Sequence, residues 1–186
     1  METAATLDPI GIILNKFRTR GHSRYGGEAI SQLEHALQAA TLAEQADAAP
    51  ALIAACLLHD VGHLLHDLPE DAPYDGLDDE HEQLGAAWLY EHFQSALVEP
   101  VRLHVAAKRY LCAVDSIYAN QLSEPSQQSL VLQGGPMTPA QAGHFEEHPH
   151  FRAAIDLRRW DEAAKVPQLA TPSLEHFVAY LQASLL

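Results

Sequence analysis

The sequence predicts an all-α protein, folded as a single compact helical bundle over residues 1–186. Three observations support this fold class. Apolar residues recur at the three- and four-residue spacing of amphipathic helices along most of the chain. A capping residue followed by proline, as in Asp8-Pro9 and Thr138-Pro139, is typical of a helix start. No segment of useful length alternates apolar and polar residues as a half-buried strand does.

The first half of the chain is predicted to hold four helices. They cover Asp8 to Arg20, Glu28 to Gln45, Ala51 to Leu65 and Glu80 to Phe93. Glycines at positions 21, 26 and 27 place a loop between the first two helices. The acidic stretch from Asp67 to Asp79 contains two prolines and one glycine, so we expect a loop there, with Asp78 or Asp79 capping the fourth helix.

The second half begins with a helix from Val101 to Val114, which Pro100 would open. Residues 115–136 are expected to be less regular, because serines, prolines and glycines interrupt them. A short helix follows Thr138-Pro139, and two further helices are predicted over Phe151 to Lys165 and Ser173 to Ser184.

Composition restricts the class of protein. The chain has 186 residues, of which 47% are apolar and 19% charged, so it is long enough for one domain with a sizeable core. Its formal net charge of −14 argues against a nucleic-acid partner, because binding a phosphate backbone needs a basic surface. The simplest interpretation of this charge is a solvated acidic surface, which still allows a few cations to converge on a small anion.

Cysteine use and hydropathy predict a cytoplasmic protein. Cys56 and Cys112 lie in apolar stretches without CxxC spacing, which favours buried reduced thiols over a disulfide. No apolar run reaches the roughly 18 residues of a membrane span, so no membrane partner is expected. The N-terminus also lacks the residue order of a signal peptide.

The pair His59-Asp60 is the most informative local feature. It ends the apolar run 51–58, and a buried carboxylate without a partner is strongly unfavourable, so a metal or a strong hydrogen-bond donor is expected beside it. Adjacent helical residues diverge by about 100°. One metal could therefore collect both side chains only if the helix ends or bends there, which Gly62 would allow; alternatively, Asp60 bridges two metals. Further candidate ligands are His35, His81, His104 and Asp161.

The remaining histidines are distinguished by spacing. His63 follows His59 by four residues and would share its helix face, and His35 follows Glu28 by seven, about two helical turns. The others are expected at the surface or in ordinary hydrogen bonds: His22, His66, His92, His144, His148, His150 and His176.

Four segments together resemble a known family. They are Tyr25 to His35, Leu57 to His63, His104 to Leu111 and Leu157 to Asp161. The H…HD…D pattern is similar to the HD-domain superfamily, which includes phosphohydrolases. The Tyr25-to-His35 segment and the Lys-Arg-Tyr-Leu run at 108–111 resemble, more narrowly, the HD-domain mixed-valent di-iron oxygenases that cleave a carbon–phosphorus bond.

The resemblance implies two iron ions, Fe2+ and Fe3+, in one HD-type domain. His35, His59, Asp60 and Asp161 would hold one iron. Asp60, His81 and His104 would hold the other, with Asp60 as the bridge.

The resemblance also implies a substrate site. Tyr25 would be a labile ligand, Glu28 would cover the amino end of the substrate, and His63 would lie beside it. The phosphonate would be held by Lys108, Arg158, Ser126 and Ser129. Other interpretations stay open at this point: solvent exposure of Lys108 and Arg158, a Tyr25 ring packed on the core, and a Glu28 carboxylate at a helix N-terminus.

The implied reaction is cleavage by dioxygen of a 1-hydroxy-2-(amino or trimethylammonio)ethylphosphonate, giving phosphate and glycine or glycine betaine. The partners would thus be a small organophosphonate and dioxygen; the oligomeric state stays open. A metal-dependent phosphohydrolase and a non-catalytic metal-stabilised helical module are the alternatives. Uptake of dioxygen would distinguish the oxygenase from both.

Overall fold

A computed structural model of the chain describes residues 8–65 and 80–186. These residues form an all-α bundle of the HD-domain type, as the sequence predicts. Within them, β structure is confined to two isolated bridges, Arg24–Ser31 and Phe93–Leu185. Among these residues, none of the helices combines the length and the hydropathy of a membrane span.

The described residues form the following helices in chain order. They are α1 (Pro9–Arg20), α2 (Gln32–Gln45), α3 (Pro50–Leu58), α4 (Val61–Leu65), α5 (His81–Tyr90), α6 (Ser95–Val114), α7 (Ser116–Gln121), α8 (Glu124–Leu132), α9 (Pro139–Glu146), α10 (Phe151–Ala163), a 3-10 turn (Leu174–Phe177) and α11 (Val178–Ala183). Helix α6 packs along α10 and α5, and α2 packs along α3. The predicted helix at Thr138-Pro139 is confirmed, with a complete capping box between Thr138 and Gln141.

Helix α3 lies at the centre of the bundle. Every residue from Ile53 to Leu58 is buried, so this helix is apolar on all sides instead of on one face. It ends at Leu58, the chain turns at His59-Asp60, and α4 begins at Val61. The single helix predicted over Ala51 to Leu65 is therefore wrong, because the chain leaves the helix at His59-Asp60. An interruption at this point is what binding of both side chains by one metal would require.

Gly62 has a different role from the one expected of it. A Cβ atom at this position would overlap the carbonyl oxygen of His81, and one on Gly85 would lie 3.2 Å from the nitrogen of Gly62. The two glycines therefore let the backbones of α4 and α5 approach closely. Gly62 serves this contact rather than a bend, and it brings His81 to the end of α3.

The predicted start of the second helix at Glu28 is wrong. Helix α2 begins at Gln32, after Ser31 and Glu34 form a complete capping box. Glu28 lies in the preceding loop, where Gly26 and Gly27 have positive φ angles. Glu28 therefore does not share a helix face with His35, and its carboxylate does not lie at a helix N-terminus.

Two proline-based predictions also need correction. Pro100 lies inside α6, which begins at Ser95, so the helix loses one backbone hydrogen bond while burying the ring. Residues 115–136 are more regular than expected, because Ser123 caps α8 and Pro125 occupies its first turn. At the N-terminus Asp8 precedes α1, but its side chain makes no capping hydrogen bond.

The remaining boundaries differ by small amounts. The fourth predicted helix starts at His81 with Glu80 in a left-handed conformation at the cap position, and α10 ends at Ala163. The C-terminal segment is split into the 3-10 turn and α11. The acidic loop from Asp67 to Asp79, with its candidate caps, and His66 lie outside the described residues.

Candidate metal centre and anion site

Six buried imidazoles and carboxylates converge where five helical segments meet. His35 comes from α2, His59 and Asp60 from the α3–α4 turn, and the others from α5, α6 and α10. They are the six metal ligands proposed from the sequence: His35, His59, Asp60, His81, His104 and Asp161.

One cluster surrounds the Oδ2 atom of Asp60. The Nε2 atoms of His35 and His59 are 3.0 Å apart. Oδ2 of Asp60 lies 3.3 Å from Nε2 of His59 and 3.7 Å from Nε2 of His35. Asp161 closes this cluster, because its Oδ1 atom lies 3.3 Å from Nε2 of His35.

A second cluster surrounds the other oxygen of Asp60. Oδ1 lies 3.3 Å from Nε2 of His81 and 3.4 Å from Nε2 of His104, and these two nitrogens are 3.2 Å apart. Both groups have the spacing of ligands that could hold a metal ion. The two oxygens of one carboxylate thus face two separate pairs of imidazoles.

These clusters contain more hydrogen-bond acceptors than donors, so they need a cation between the acceptors. The Nδ1 atoms of His35, His59 and His104 lie 2.7 to 2.8 Å from the backbone carbonyls of Ala164, Cys56 and Val101. A neutral imidazole that donates from Nδ1 has only a lone pair at Nε2. These lone pairs face each other and face carboxylates, so acceptors would oppose acceptors without a positive charge between them. The buried Oδ1 of Asp161 also accepts no hydrogen bond from the described residues. The donor set of imidazole nitrogens and carboxylate oxygens fits first-row metal ions.

The titration behaviour leads to the same conclusion. Burial disfavours a charged His59, yet Asp60 and Asp161 outweigh it and raise the pKa of His59 to about 10. Burial likewise opposes ionisation of Asp60, but His59 and the neighbouring imidazoles hold the pKa of Asp60 well below its usual range. In the metal-free protein a proton on His59 supplies part of the positive charge that the carboxylates need.

Two aromatic rings flank the clusters. The Tyr25 ring stacks on His35 with 3.8 Å between centroids, and the His63 ring stacks on His81 with 4.0 Å. Burial of the Tyr25 hydroxyl, followed by the charges of Asp60 and Asp161, raises its pKa well above the usual value. Tyr25 therefore covers the first cluster instead of packing elsewhere on the core.

Lys108 and Arg158 are buried, so their solvent exposure is ruled out. Nζ of Lys108 donates to Oγ of Ser129 over 2.8 Å. Burial, followed by repulsion from Arg158, lowers the pKa of Lys108 to about 7. Arg158 donates to the Tyr118 hydroxyl over 2.7 Å and pairs with Asp161 beside the metal ligands.

Sequence reasoning missed two members of this region, Glu162 and Lys165, and offered a third, Tyr118, without placing it. Glu162 pairs with Arg158, and Lys165 lies 2.7 Å from Oγ of Ser126 and 3.3 Å from the Glu28 carboxylate. The signal was present in part, because Arg158, Asp161, Glu162 and Lys165 recur at helical spacing. The contact with Glu28 has no local signal, because that residue is far away in the chain.

Comparison with known proteins assigns the chain to a family. It is 48% identical to a hydroxymethylphosphonate dioxygenase of Gimesia maris, over 84% of this chain and 78% of the relative. It is 43% identical to the glycine-betaine-forming [1-hydroxy-2-(trimethylamino)ethyl]phosphonate dioxygenase of Leisingera caerulea, over 89% and 85%. An uncharacterized protein of Acanthamoeba polyphaga mimivirus is 32% identical over 90% of this chain. No protein-family model matches the chain.

These relatives define a class of oxygenase, and the chain belongs to their family of phosphonate dioxygenases. The resemblance of the sequence to oxygenases that act on phosphonates is thereby confirmed.

Proposed function

We propose that this chain is an iron-dependent dioxygenase that cleaves the carbon–phosphorus bond of a 1-hydroxyphosphonate. The candidate substrates are the 1-hydroxy-2-(amino or trimethylammonio)ethylphosphonates, which would give phosphate with glycine or glycine betaine. Hydroxymethylphosphonate joins them because a relative is named for it. From that substrate and one dioxygen, atom balance gives formate and phosphate.

One observation carries the proposal: a carboxylate shared by two imidazole pairs lies next to buried cations. Asp60 faces each pair with a different oxygen, and Arg158 joins the cations to Asp161 of the first cluster. A site that holds metal and anion side by side suits a substrate whose reacting carbon bears both a hydroxyl and a phosphonate.

In this proposal two iron ions occupy the clusters. His35, His59, Asp60 and Asp161 would hold one, and Asp60, His81 and His104 the other. When bound, the metal pair would supply a Lewis acid for the substrate oxygens and a redox centre for dioxygen, while the electrons that reduce dioxygen would come from the substrate.

Lys108 would be the main ligand of the phosphonate. Among the described residues its ammonium is bonded to Ser129 alone, so further N–H donors are available for phosphonate oxygens. Arg158 is more committed, since it neutralises Asp161 and Glu162. It would add charge and fix the position of Ser126, whose hydroxyl can turn toward the anion.

Tyr25, His63 and Glu28 would close the site. The stacked Tyr25 ring excludes water from the first cluster, and its hydroxyl would leave room when substrate arrives. His63 would orient the substrate beside the second cluster. Glu28 would accept a hydrogen bond from an amino group at the far end of the substrate.

The test is aerobic turnover of the iron-loaded protein. Dioxygen uptake and phosphate release are measured with hydroxymethylphosphonate, 2-amino-1-hydroxyethylphosphonate and its trimethylammonio analogue. We expect equal amounts of dioxygen consumed and phosphate released with at least one of them. Anaerobic hydrolysis of a phosphomonoester with Mg2+ or Mn2+, and no phosphonate turnover, would instead indicate an HD-type phosphohydrolase.

A further inference from the structure

We infer that Lys165 is a positioning residue that joins the Glu28 carboxylate and the Ser126 hydroxyl into one unit at the substrate site. The inference rests on the proposed function, which places Glu28 at the amino end of the substrate and Ser126 at the phosphonate. Within the described residues no hydrogen bond joins these two side chains, but both contact the Lys165 ammonium.

The contacts of Lys165 come from three separate parts of the chain. Its Nζ atom lies 2.9 Å from Oγ of Ser123, 2.7 Å from Oγ of Ser126 and 3.1 Å from Oε1 of Glu162. Oε1 of Glu28, from the loop before α2, lies 3.3 Å away. The Lys165 side chain is only 10% exposed, so these charges interact with little screening by water.

The number of N–H donors on Lys165 explains why Glu28 receives no hydrogen bond from it. An ammonium carries three N–H groups, and Lys165 uses three on Ser123, Ser126 and Glu162. Glu28 is therefore held by charge without receiving a proton, and its buried Oε1 accepts no hydrogen bond from the described residues. A buried acceptor of this kind is unfavourable until a donor reaches it. Lys165 thus fixes Glu28 while leaving that oxygen ready for a donor from a ligand.

The same ammonium sets the direction of the Ser126 hydroxyl. The oxygen of Ser126 accepts from Lys165, so its own proton is directed to Glu162, 2.9 Å away. In this arrangement the proton is donated to Glu162, so the hydroxyl would have to turn from Glu162 to a phosphonate oxygen while Lys165 holds the Ser126 oxygen in place. Lys165 also keeps the Glu28 and Glu162 carboxylates from repelling each other, because it lies between them.

The test is a double-mutant cycle on substrate affinity. Binding of 2-amino-1-hydroxyethylphosphonate is measured by anaerobic calorimetry on the iron-loaded protein, so that no turnover occurs. Glu28→Gln, Ser126→Ala and their combination are compared with Lys165 present and in a Lys165→Met background. We expect the combined effect on Kd to deviate by about threefold or more from the product of the single effects when Lys165 is present. The effects should become multiplicative in the Lys165→Met background.

Controls separate positioning from folding and from the proposed function. Lys165→Met alone should raise Kd at least fivefold with iron content and the folded state preserved, although its Tm should fall because two buried carboxylates lose their counter-charge. Lys16→Met on α1 should leave Kd, iron content and Tm unchanged. If Lys165→Met does not fold, Lys165→Gln takes its place, since it removes the charge but retains N–H donors. Multiplicative effects with Lys165 present, or coupling that survives its removal, would overturn the inference. A wild-type protein that neither binds nor turns over any of the phosphonates would instead overturn the proposed function.

Discussion

At the scale of single residues, the candidate site is governed by the number of protons available to buried acceptors. Three imidazoles place their Nδ1 atoms at backbone carbonyls and turn lone pairs toward Asp60 and Asp161. This arrangement is unfavourable without a cation and favourable with one. Metal binding at both clusters should accordingly depend more on the charge of Asp60 than on any other single residue.

Substituting Asp60→Asn should abolish tight iron binding at both clusters, because the volume is retained while the shared negative charge is lost. Metal analysis after anaerobic reconstitution and desalting measures this directly. We expect iron content to fall at least tenfold relative to the wild type. Asp156→Asn, an exposed position on α10, is the matched control and should retain full iron. A full iron complement in Asp60→Asn would contradict the bridging role.

Lys108 illustrates a conflict between stability and binding. Its pKa of about 7 in the folded protein is far below that of an unfolded lysine. Keeping Lys108 protonated therefore lowers the free energy of unfolding. The penalty is present at and below pH 7 and disappears as pH rises toward the unfolded pKa near 10.5. Lys108→Met should therefore raise the free energy of unfolding at pH 7 by on the order of 4 kcal/mol, less any lost packing.

Urea unfolding at several pH values checks this expectation, with both proteins in the same metal state. The advantage of Lys108→Met should shrink steadily between pH 7 and 10.5, while its anaerobic Kd for hydroxymethylphosphonate should rise at least tenfold. Lys16→Met should stay within about 0.5 kcal/mol of the wild type. A stability difference independent of pH would rule out the lowered pKa as its cause.

At the scale of elements, close backbone contacts decide which side chains meet. The end of α3 and the start of α5 approach each other because Gly62 and Gly85 lack Cβ atoms. That contact brings His81 within 3.3 Å of Asp60. The apolar α3 has no polar face of its own, so its end is where ligands can be presented without interrupting the core.

Gly62→Ala should push α5 away from α4 and separate His81 from Asp60. We expect the free energy of unfolding to fall by about 2–3 kcal/mol, since the new Cβ meets backbone that cannot turn aside. Iron content should fall by roughly half, because the cluster without His81 is retained. Denaturant unfolding and metal analysis are the measurements.

Gly143→Ala provides a matched control on α9. A Cβ there meets no atom within 4 Å, so the substitution should stabilise the protein by about 0.5–1 kcal/mol through helix propensity. An unchanged stability and iron content in Gly62→Ala would show that α5 can shift without cost.

At the scale of the whole molecule, the bundle buries carboxylates whose negative charge is compensated in part by a proton on His59. In the metal-free protein the pKa of His59 is about 10, raised above that of an unfolded histidine against the effect of burial. Its contribution to stability is complete below pH 6.5 and is lost as pH rises through about 10. A bound metal takes over this role and displaces the proton.

Anaerobic binding of Fe2+ at pH 8 should consequently release about one proton per chain from His59. Calorimetric titration in two buffers of different ionisation enthalpy measures this number. In the iron-loaded protein, the free energy of unfolding should not show the decrease between pH 6.5 and 10 that deprotonation of His59 causes in the metal-free protein. Binding of iron without proton release would show that His59 is neutral in the metal-free protein.

Much of the fold could be predicted from local patterns, and the family resemblance indicated which residues meet in the two clusters. Apolar periodicity and the cap-proline pairs predicted the all-α class, because both depend on neighbours three or four residues apart. The pair His59-Asp60 after a buried run indicated a charge that needed compensation. Prolines were misinterpreted in two different ways, however. Pro100 was placed at a helix start but lies inside α6, and Pro125 was placed in an irregular stretch but lies in the first turn of α8.

Contacts between distant segments were decided only by tertiary packing. The split of the Asp60 oxygens between two imidazole pairs depends on how α5 and α6 pack against the end of α3. The Lys165 contacts with Glu28 and Ser126 likewise join three regions that share no local pattern. Residue types and short spacings establish which chemical groups the chain carries, whereas the distance between groups far apart in sequence depends on the shape of the packed core.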